Sequence, residues 1–211
     1  MNPEKPWEVW DPEQVDKLMQ LWGPINGKKG RHQKLMKEVA ELITGRTVLD
    51  VACGPGHLLS FLKKDIKYLG VDSSPTMISK ARSYKRKASF ALGSAYDLSN
   101  FKNADTVVCV DLIRHLPETW PVLEQLWTKT LITLIFVVEI GTKPCTIKSK
   151  RPKDKYLIDR IETMPNMMNL FNQLPSLNGI EKIDFDKRTC IFRLWKKRTA
   201  GANQPSRSSS K

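Results

Sequence analysis

The sequence of 211 residues lacks several features that would fix its class at once. Its longest apolar run, at 131–140, is too short for a membrane-spanning helix, which needs about 20 apolar residues. No positively charged and then apolar segment opens the chain, so we expect no signal peptide. Cysteines are few and have no metal-type spacing. We therefore predict reduced thiols, a cytoplasmic location, no metal site and no membrane partner. The four cysteines are Cys53, Cys109, Cys145 and Cys190.

Acidic side chains are scarce in the last third of the chain. Residues 141–211 carry sixteen lysines and arginines against six aspartates and glutamates, whereas 1–45 carry seven of each and 46–140 carry twelve against nine. Of the net charge of +13, +10 therefore lies in that third. Such a field attracts a polyanion or an acidic small molecule. A lysine-rich solvated surface with a basic tail is the other interpretation.

The residues that are present are organised around the stretch TVLDVACGPG at 47–56. Its first half is apolar and β-branched, which predicts a buried strand. Its second half ends that strand, and an apolar pattern with helical spacing follows at 57–62. Strand, glycine turn and helix point backbone N–H groups and a positive helix end at a ligand. Gly54 and Gly56 lack a Cβ, so a ligand can approach the backbone there.

Two aspartates stand at the ends of predicted strands beside this turn. Asp50 ends the strand before the glycines, at the edge where open α/β sheets bind ligands. Asp72 ends the next apolar run, at 67–71. An acid about 20 residues past a glycine turn suits a pair of ribose hydroxyls. The pattern therefore predicts a nucleoside-type ligand, and a tight turn in an ordinary α/β protein is the alternative.

Four blocks of the sequence resemble, in order, the class I S-adenosylmethionine-dependent methyltransferases. Together they cover about half of the chain, roughly residues 46–140. They are VLDVACGPG at 48–56, YLGVDSSPTM at 68–77, FALGSAYDL at 90–98 and DTVVCVDLIRHLP at 105–117.

The glycine loop after the first predicted strand does not match the G-x-G-x-x-G pattern of NAD-binding units. Ala52 stands where the methyltransferase family has its first glycine, and Leu59 stands where the NAD-binding pattern has its third glycine. The resemblance implies an α/β fold with a doubly wound, mostly parallel sheet of seven strands in the order 3-2-1-4-5-7-6. The last strand is antiparallel, and helices cover both faces. We place the sixth and seventh strands at 179–185 and 189–195, around a hairpin turn.

The chain is divided into three parts by its composition and by the resemblance. Residues 1–45 form an N-terminal helical arm or cap, with a helix at 12–22. Residues 46–198 form the methyltransferase domain, which carries a basic lid insert at about 142–178 with helices at 156–163 and 166–174. Residues 199–211 are predicted to be a disordered basic tail.

The resemblance implies S-adenosylmethionine as cofactor and S-adenosylhomocysteine as product. Arg31 is a candidate for the methionine carboxylate through a bidentate pair, with an exposed charge as the alternative. Ser94 stands where relatives carry an acid for the adenine amino group, so Asp97 or the backbone around Ala95 is expected to replace that contact. The predicted cofactor residues are Arg31, Asp50, Ala52, Cys53, Gly54, Gly56, Asp72, Ser73, Met77, Ser94, Ala95, Asp111 and Leu112.

Methyl transfer from a sulfonium centre needs alignment and a dry, shaped site more than covalent help. The candidate base is His115, because an imidazole suits removal of a proton near neutral pH. A structural histidine at the turn after the fourth strand is the alternative. Asp111 is the second candidate, nearer to the methyl position that the resemblance implies.

Two motifs are absent after the fourth strand. No N/D/S-P-P-Y/F/W tetrad follows it, which argues against amino methylation of DNA adenine. No Pro-Cys nucleophile stands there either, which argues against cytosine C5 chemistry. We therefore predict methyl transfer to an oxygen, nitrogen or carbon of a small-molecule acceptor. A methyltransferase acting on RNA or another polyanion through the basic C-terminal third is the alternative, and an inactive methyltransferase-like binding module is a third class. The sequence names neither the acceptor nor the oligomeric state.

Overall fold

The computed structural model describes residues 10–27, 29–84, 87–148 and 158–197, so the predicted tail at 199–211 lies outside the described residues. No helix in these ranges is both long and apolar enough to cross a bilayer. The helices and strands, in chain order, are α1 Pro12–Trp22, α2 Arg31–Glu41, β1 Thr47–Val51, β2 Lys67–Asp72, α3 Pro75–Ser83, β3 Ser89–Leu92, β4 Ala104–Cys109, α4 Trp120–Lys129, β5 Thr130–Gly141, β6 Cys145–Lys148, β7 Ile158–Thr163, α5 Met164–Phe171, β8 Leu177–Asp184 and β9 Thr189–Lys196.

The central sheet has the predicted topology. β1 lies between β2 and β4 in parallel register, β3 flanks β2, and β5 flanks β4. β9 then pairs antiparallel with β5, and β8 pairs antiparallel with β9. β8 and β9 are the strands expected sixth and seventh in the sequence, so the order 3-2-1-4-5-7-6 is confirmed. The last strand is antiparallel, as predicted.

An additional hairpin departs from the sequence prediction. β5 extends past the main sheet, and its last two residues, Ile140 and Gly141, pair in parallel with β7. β6 pairs antiparallel with β7. The helix predicted at 156–163 is therefore wrong, because strand pairing with β5 and β6 outweighs local propensity in so short a segment. The predicted lid at 142–178 includes this β6–β7 hairpin and α5, while residues 149–157 of it lie outside the described ranges.

The helix expected after the glycine turn is shorter than its apolar pattern suggests. Only a 3₁₀ helix, His57–Phe61, forms there, and it packs against α2. The side chain of Ser60 donates to the backbone carbonyl of Ile25 at 2.8 Å, which ties this turn to the arm. The N-terminal arm therefore packs on the segment that follows the glycines.

Apolar side chains cover both faces of the sheet. β1 shows the alternation, because Leu49 packs with α4 and α5 on one face whereas Val48 packs with α2 and α3 on the other. Asp50 shares the second face with Val48, since alternate residues of a strand point the same way. The sequence thus directs Asp50 towards the arm.

Candidate functional site

The candidate site lies where β1 is flanked by β2 and β4. All three strands are parallel, so their carboxyl ends meet at one edge of the sheet. The connections run to opposite faces from this point, and such switch points are where open α/β sheets bind ligands. The glycine turn, Asp72 and Asp111 follow these three strand ends.

Asp72 is held at the end of β2 by the backbone of two loops. One carboxylate oxygen accepts the N–H of Gly54 at 2.9 Å, and the other accepts the N–H of Ser74 at 2.9 Å. Burial raises the pKa of this carboxyl, while the backbone N–H groups of Ser74, Gly54 and Ser73 oppose that rise. Asp72 is therefore fixed in position at the end of β2, and a carboxylate there suits the hydroxyl groups of a ribose.

Asp50 is almost fully buried and faces the same cleft. Its carboxylate accepts the hydroxyl of Tyr68 at 2.6 Å. Burial raises the pKa of Asp50 to about 7. The hydrogen bond from Tyr68 lowers this pKa, and the charge of Asp72 raises it by a smaller amount. This carboxyl therefore changes charge near neutral pH, and a cationic ligand group beside it would favour the ionised form.

The backbone at the switch point is strained at two non-glycine residues. Ala52 has φ of 61° and Asp111 has φ of 57°, both in the left-handed region. Gly54 and Gly56 have φ of 52° and 79°, which glycine adopts freely. Strained non-glycine residues gather at functional sites. Here they stand after adjacent strands and turn the backbone at the mouth of the cleft.

Trp22, the last residue of α1, covers the glycine turn. A Cβ added to Gly54 would lie 3.8 Å from Cζ3 of Trp22. The indole stacks on His32 with ring centroids 4.7 Å apart, and His57 meets both rings edge-on. Burial, together with His57 and Arg31, lowers the pKa of His32 to about 3, so this ring is neutral in the packed state. We call Trp22, His32 and His57 the aromatic cluster.

The cavity between the aromatic cluster and the strand ends is small. Its volume is about 40 Å³, whereas ligand pockets are typically about 300–1,000 Å³. Trp22 and Met36 of the N-terminal arm line part of this cavity. The residues lining this cavity are Trp22, Met36, Asp50, Ala52, Cys53, Gly54, His57, Leu58, Val110 and Asp111.

A larger groove lies elsewhere, between α2 and the 3₁₀ helix. Its volume is about 1070 Å³, and its lining includes Lys34, Lys37, Arg46 and Lys63 but none of the strand-end aspartates. Size alone would favour this groove. The buried carboxylates and the strained backbone instead favour the switch point, so we place the candidate site there.

Arg31, a predicted cofactor residue, is engaged with the turn between β8 and β9. Its Nε and Nη2 donate to one oxygen of Asp186 at 2.9 and 2.7 Å, and Nη2 also donates to the hydroxyl of Thr189 at 2.5 Å. The guanidinium lies 5.4 Å from the ring centroid of Phe185. These contacts tie α2 to the end of the sheet, and the role of Arg31 towards a cofactor stays a prediction.

The expected adenine segment follows β3. The hydroxyl of Ser94 accepts the N–H of Tyr96 at 3.2 Å, and Ser94 forms an isolated bridge with Asp97. One carboxylate oxygen of Asp97 accepts the N–H of Ser99 at 2.9 Å, which orders this exposed turn. The structure also describes four further predicted cofactor residues. Ala95 follows Ser94, Cys53 is buried in the glycine turn, Ser73 follows Asp72, and Met77 is buried in the first turn of α3.

The two catalytic candidates lie in one loop but have different surroundings. Asp111 lines the small cavity. After Leu112, a 3₁₀ helix, Ile113–His115, carries the histidine. Nδ1 of His115 lies 3.3 Å from a carboxylate oxygen of Asp159, a residue of β7. Sequence reasoning missed Asp159, because nothing in the local pattern indicates that β7 pairs with the end of β5.

Sequence reasoning also missed the hydrogen bond from Tyr68 to Asp50 and the packing of the aromatic cluster. Tyr68 reaches Asp50 only because β1 and β2 pair in a register that sets Val48 opposite Tyr68. His32 and His57 meet through the packing of α2 on the 3₁₀ helix. The three tryptophans before residue 23 were the only sequence signal for the cluster, and the first of them lies outside the described residues.

Comparison with known proteins agrees with this geometry. Residues 48–129 match the family described as a methyltransferase domain. Over 85 residues the chain is 28% identical to trans-aconitate 2-methyltransferase of Methylobacterium radiotolerans, a match that covers 39% of this chain and 33% of that protein. The chain thus matches about a third of the length of this curated relative.

Two solved structures show the same architecture over most of the chain. Magnesium protoporphyrin IX methyltransferase from Synechocystis PCC 6803, crystallised with S-adenosylmethionine, has a TM-score of 0.69 and 16% identity, covering 93% of this chain and 98% of that one. The putative methyltransferase complexed with the Haloferax volcanii Trm112 activator has a TM-score of 0.65 and 18% identity, covering 91% and 98%. At such identities the likeness shows the fold. Residues 48–129 therefore match a methyltransferase domain, and the chain has the fold of the class I S-adenosylmethionine-dependent methyltransferases, which confirms the resemblance seen in the sequence.

Proposed function

We propose that this chain is an S-adenosylmethionine-dependent methyltransferase that methylates an oxygen, nitrogen or carbon of a small-molecule acceptor and releases S-adenosylhomocysteine. The observation that carries the proposal is Asp72. Both of its oxygens are fixed by backbone N–H groups at the switch point. A carboxylate held in this way suits the two hydroxyls of the cofactor ribose.

The other residues of the cleft supply complementary contacts. The bound cofactor would supply an activated methyl group on a sulfonium. Gly54 lets the cofactor approach the backbone, because no Cβ stands in the way. Asp50 offers a buried negative charge to the cationic end of the cofactor. Trp22 excludes water from the same space, which favours alignment of the acceptor.

The charges of the C-terminal third favour a small molecule over a polyanion as methyl acceptor. Two of the three arginines in the described part of the C-terminal third face carboxylates: Arg160 lies 2.6 Å from Glu162, and Arg193 lies 3.3 Å from Glu181. A cation that is already paired contributes less to binding phosphates. Two of the proteins compared above are methyltransferases named for small molecules, trans-aconitate and magnesium protoporphyrin.

Labelled S-adenosylmethionine tests the proposal directly. The purified chain is incubated with a metabolite pool and, separately, with total RNA, and label transfer is counted. We expect transfer into the metabolite pool. The variant Asp72→Ala serves as the inactive control.

The competing functions give other outcomes. An enzyme acting on RNA would label that pool, and its binding would fall steeply with salt, because phosphate contacts release counterions. Replacing Lys148, Lys150, Arg151 and Lys153 by serine would then flatten the salt dependence. Cofactor binding without transfer into either pool would identify an inactive binding module.

A further inference from the structure

The carbonyl oxygens at the end of α1 meet side chains from two neighbouring segments. A helix leaves its last carbonyls without partners inside the helix, and Gly23 and Pro24 end α1. Gln33 on α2 donates its side-chain amide to the carbonyl of Trp22. Nε2 of His57, on the 3₁₀ helix after the glycine turn, lies 3.2 Å from the carbonyl oxygen of Gly23. The end of α1 is therefore attached both to α2 and to the segment that follows the glycines.

The amide of Gln33 is enclosed by two glycines whose backbone lies in the left-handed region. Gly23 has φ of 82° and Gly30 has φ of 110°. A Cβ added to Gly23 would lie 2.7 Å from Nε2 of Gln33, and one added to Gly30 would lie 2.7 Å from Oε1. Gln33 is only 2% exposed. Such close packing leaves the amide little freedom, so the carbonyl that it binds is fixed as well.

Trp22 is held through its side chain as well as through its backbone. His32, which precedes Gln33 on α2, stacks on the indole with ring centroids 4.7 Å apart and an angle of 9° between the planes. Two consecutive residues of one helix therefore contact the same tryptophan at two points. The indole in turn lines the small cavity together with Asp50 and Gly54 of the candidate cofactor site.

We propose that Trp22 touches the bound cofactor, and that Gln33 is the positioning residue that holds Trp22 against the glycine turn. The amide fixes the backbone where α1 ends, so the indole keeps one orientation beside Gly54. A side chain that is ordered before the ligand arrives lowers the entropic cost of binding. The role towards the cofactor rests on the proposed function, whereas the positioning of Trp22 by Gln33 is a property of the folded chain alone.

The competing interpretation is that Gln33 only stabilises the junction between α1 and α2. Its loss would then lower the stability of the fold without changing the surroundings of the indole or the affinity for the cofactor. The ion pair between Lys80 and Asp16 provides the matched control. It also ties α1 to the domain, with Nζ 2.8 Å from the carboxylate, but it joins α1 to α3 and does not involve Trp22.

Fluorine NMR of the full chain tests the positioning without any assay of activity. The chain has six tryptophans, so after fluorotryptophan labelling the signal that is missing from Trp22→Phe belongs to Trp22. Gln33→Met keeps the length of the side chain and removes the donor, so it should shift and broaden that signal. Lys80→Met should leave the signal in place. An unchanged Trp22 signal in Gln33→Met would overturn the proposal.

Gly23→Ala disturbs the same contact from the other side. The added Cβ would lie 2.7 Å from Nε2 of Gln33, so the amide must shift away from the carbonyl of Trp22. This variant should change the Trp22 signal as Gln33→Met does, and it decides the question if Gln33→Met does not fold. A Trp22 signal at the wild-type position in Gly23→Ala would contradict the proposal.

Titration with S-adenosylhomocysteine tests the contact with the cofactor. The ligand should shift the Trp22 signal of the wild type. By calorimetry, Gln33→Met should bind S-adenosylhomocysteine more weakly by a factor of about 3 to 10, which is about the net contribution of one hydrogen bond. Lys80→Met should bind it as tightly as the wild type.

Two results would count against the role at the cofactor: unchanged affinity in Gln33→Met, or a wild-type Trp22 signal that does not respond to the ligand. A wild-type chain that binds no S-adenosylhomocysteine would refute the proposed function. The fluorine spectra of the free chain would still decide whether Gln33 positions Trp22.

Discussion

The two sides of the cleft are built from different kinds of contact. On the side of β1 and β2, carboxylates are buried and meet backbone N–H groups and a tyrosine hydroxyl, with no cation against them in the described contacts of Asp50 and Asp72. On the side of β4 and β7, carboxylates meet arginines and a histidine. In these contacts the carboxylates of the first side meet neutral donors, whereas Glu139 and Asp159 on the second side each meet a cation.

This difference indicates what each side is suited to bind. Buried carboxylates without a cationic partner favour a ligand that brings hydroxyls and positive charge, because both compensate for the lost solvation. A side whose charges are already paired offers orientation and proton transfer instead. The contrast therefore fits a cofactor on the side of β1 and β2, with the acceptor on the side of β4 and β7.

The largest expected effect comes from removing the uncompensated charge of Asp50. Its pKa is raised from 3.8 to about 7, so the folded chain keeps a proton that the unfolded chain releases. The contribution to stability is complete below pH 3.8 and is lost as pH rises towards 7, an effect of about 4 kcal/mol at most. Asp50→Asn does not titrate, so it should be more stable than the wild type at pH 8 and similar near pH 4. Urea unfolding at several pH values measures the difference.

Tyr68→Phe is the matched control for that experiment. The hydroxyl of Tyr68 lowers the pKa of Asp50, so its loss should extend the unstable range to higher pH. Asp50→Asn should also weaken S-adenosylmethionine binding, because a neutral amide cannot compensate a cation. Stability curves of Asp50→Asn and wild type that run parallel from pH 4 to 8 would show that Asp50 does not titrate there.

Asp72→Ala is expected to have the next largest effect. Two ribose hydroxyls lose a charged acceptor, and the N–H groups of Gly54 and Ser74 lose their partner. Cofactor affinity should fall by at least about 1–3 kcal/mol. Calorimetry with S-adenosylhomocysteine measures this, and Asp65→Ala, on the exposed turn before β2, is the control. Unchanged affinity in Asp72→Ala would remove the basis of the proposed function.

The sequence predicts one side of this comparison far better than the other. The glycine turn, Asp50 and Asp72 come from adjacent strand ends, so local strand, turn and spacing signals suffice to place them together. The pairing of Asp159 with His115 depends on β7 adding to the far end of β5, a long-range contact that a short mixed segment does not encode locally. The central strand order could be predicted because it follows from parallel strands and their connections, whereas the hairpin in the insert could not.

Trp22 tests whether the small cavity reflects a closed arm. Trp22 lines the small cavity beside Gly54. If the arm opens to admit the cofactor, an open state populated at about 10% would reduce the apparent affinity about tenfold. Trp22→Ala should speed cofactor association in stopped-flow measurements by up to that factor, while Trp120→Ala on α4 should leave it unchanged. Equal association rates in Trp22→Ala and wild type would show that the arm does not limit entry.

Proteolysis separates a moving arm from a static cap. If the arm reorders over the bound cofactor, cleavage between Met1 and Gly30 should slow when S-adenosylmethionine is added, because ordered backbone is a poor substrate for proteases. Equal cleavage with and without cofactor would leave the arm as a permanent cap.

The smallest expected effect concerns Ala52, the residue at the first family glycine. Its φ of 61° costs an L-residue about 1–2 kcal/mol, and glycine would relieve that strain. Glycine also loses more conformational entropy on folding, by about 0.5–1 kcal/mol. The two terms leave a net stabilisation of up to about 1.5 kcal/mol for Ala52→Gly. Ala40→Gly, in the helical backbone of α2, meets no such strain and should destabilise by about 1 kcal/mol. Urea unfolding that shows Ala52→Gly losing as much stability as Ala40→Gly would mean that the backbone at Ala52 is not strained.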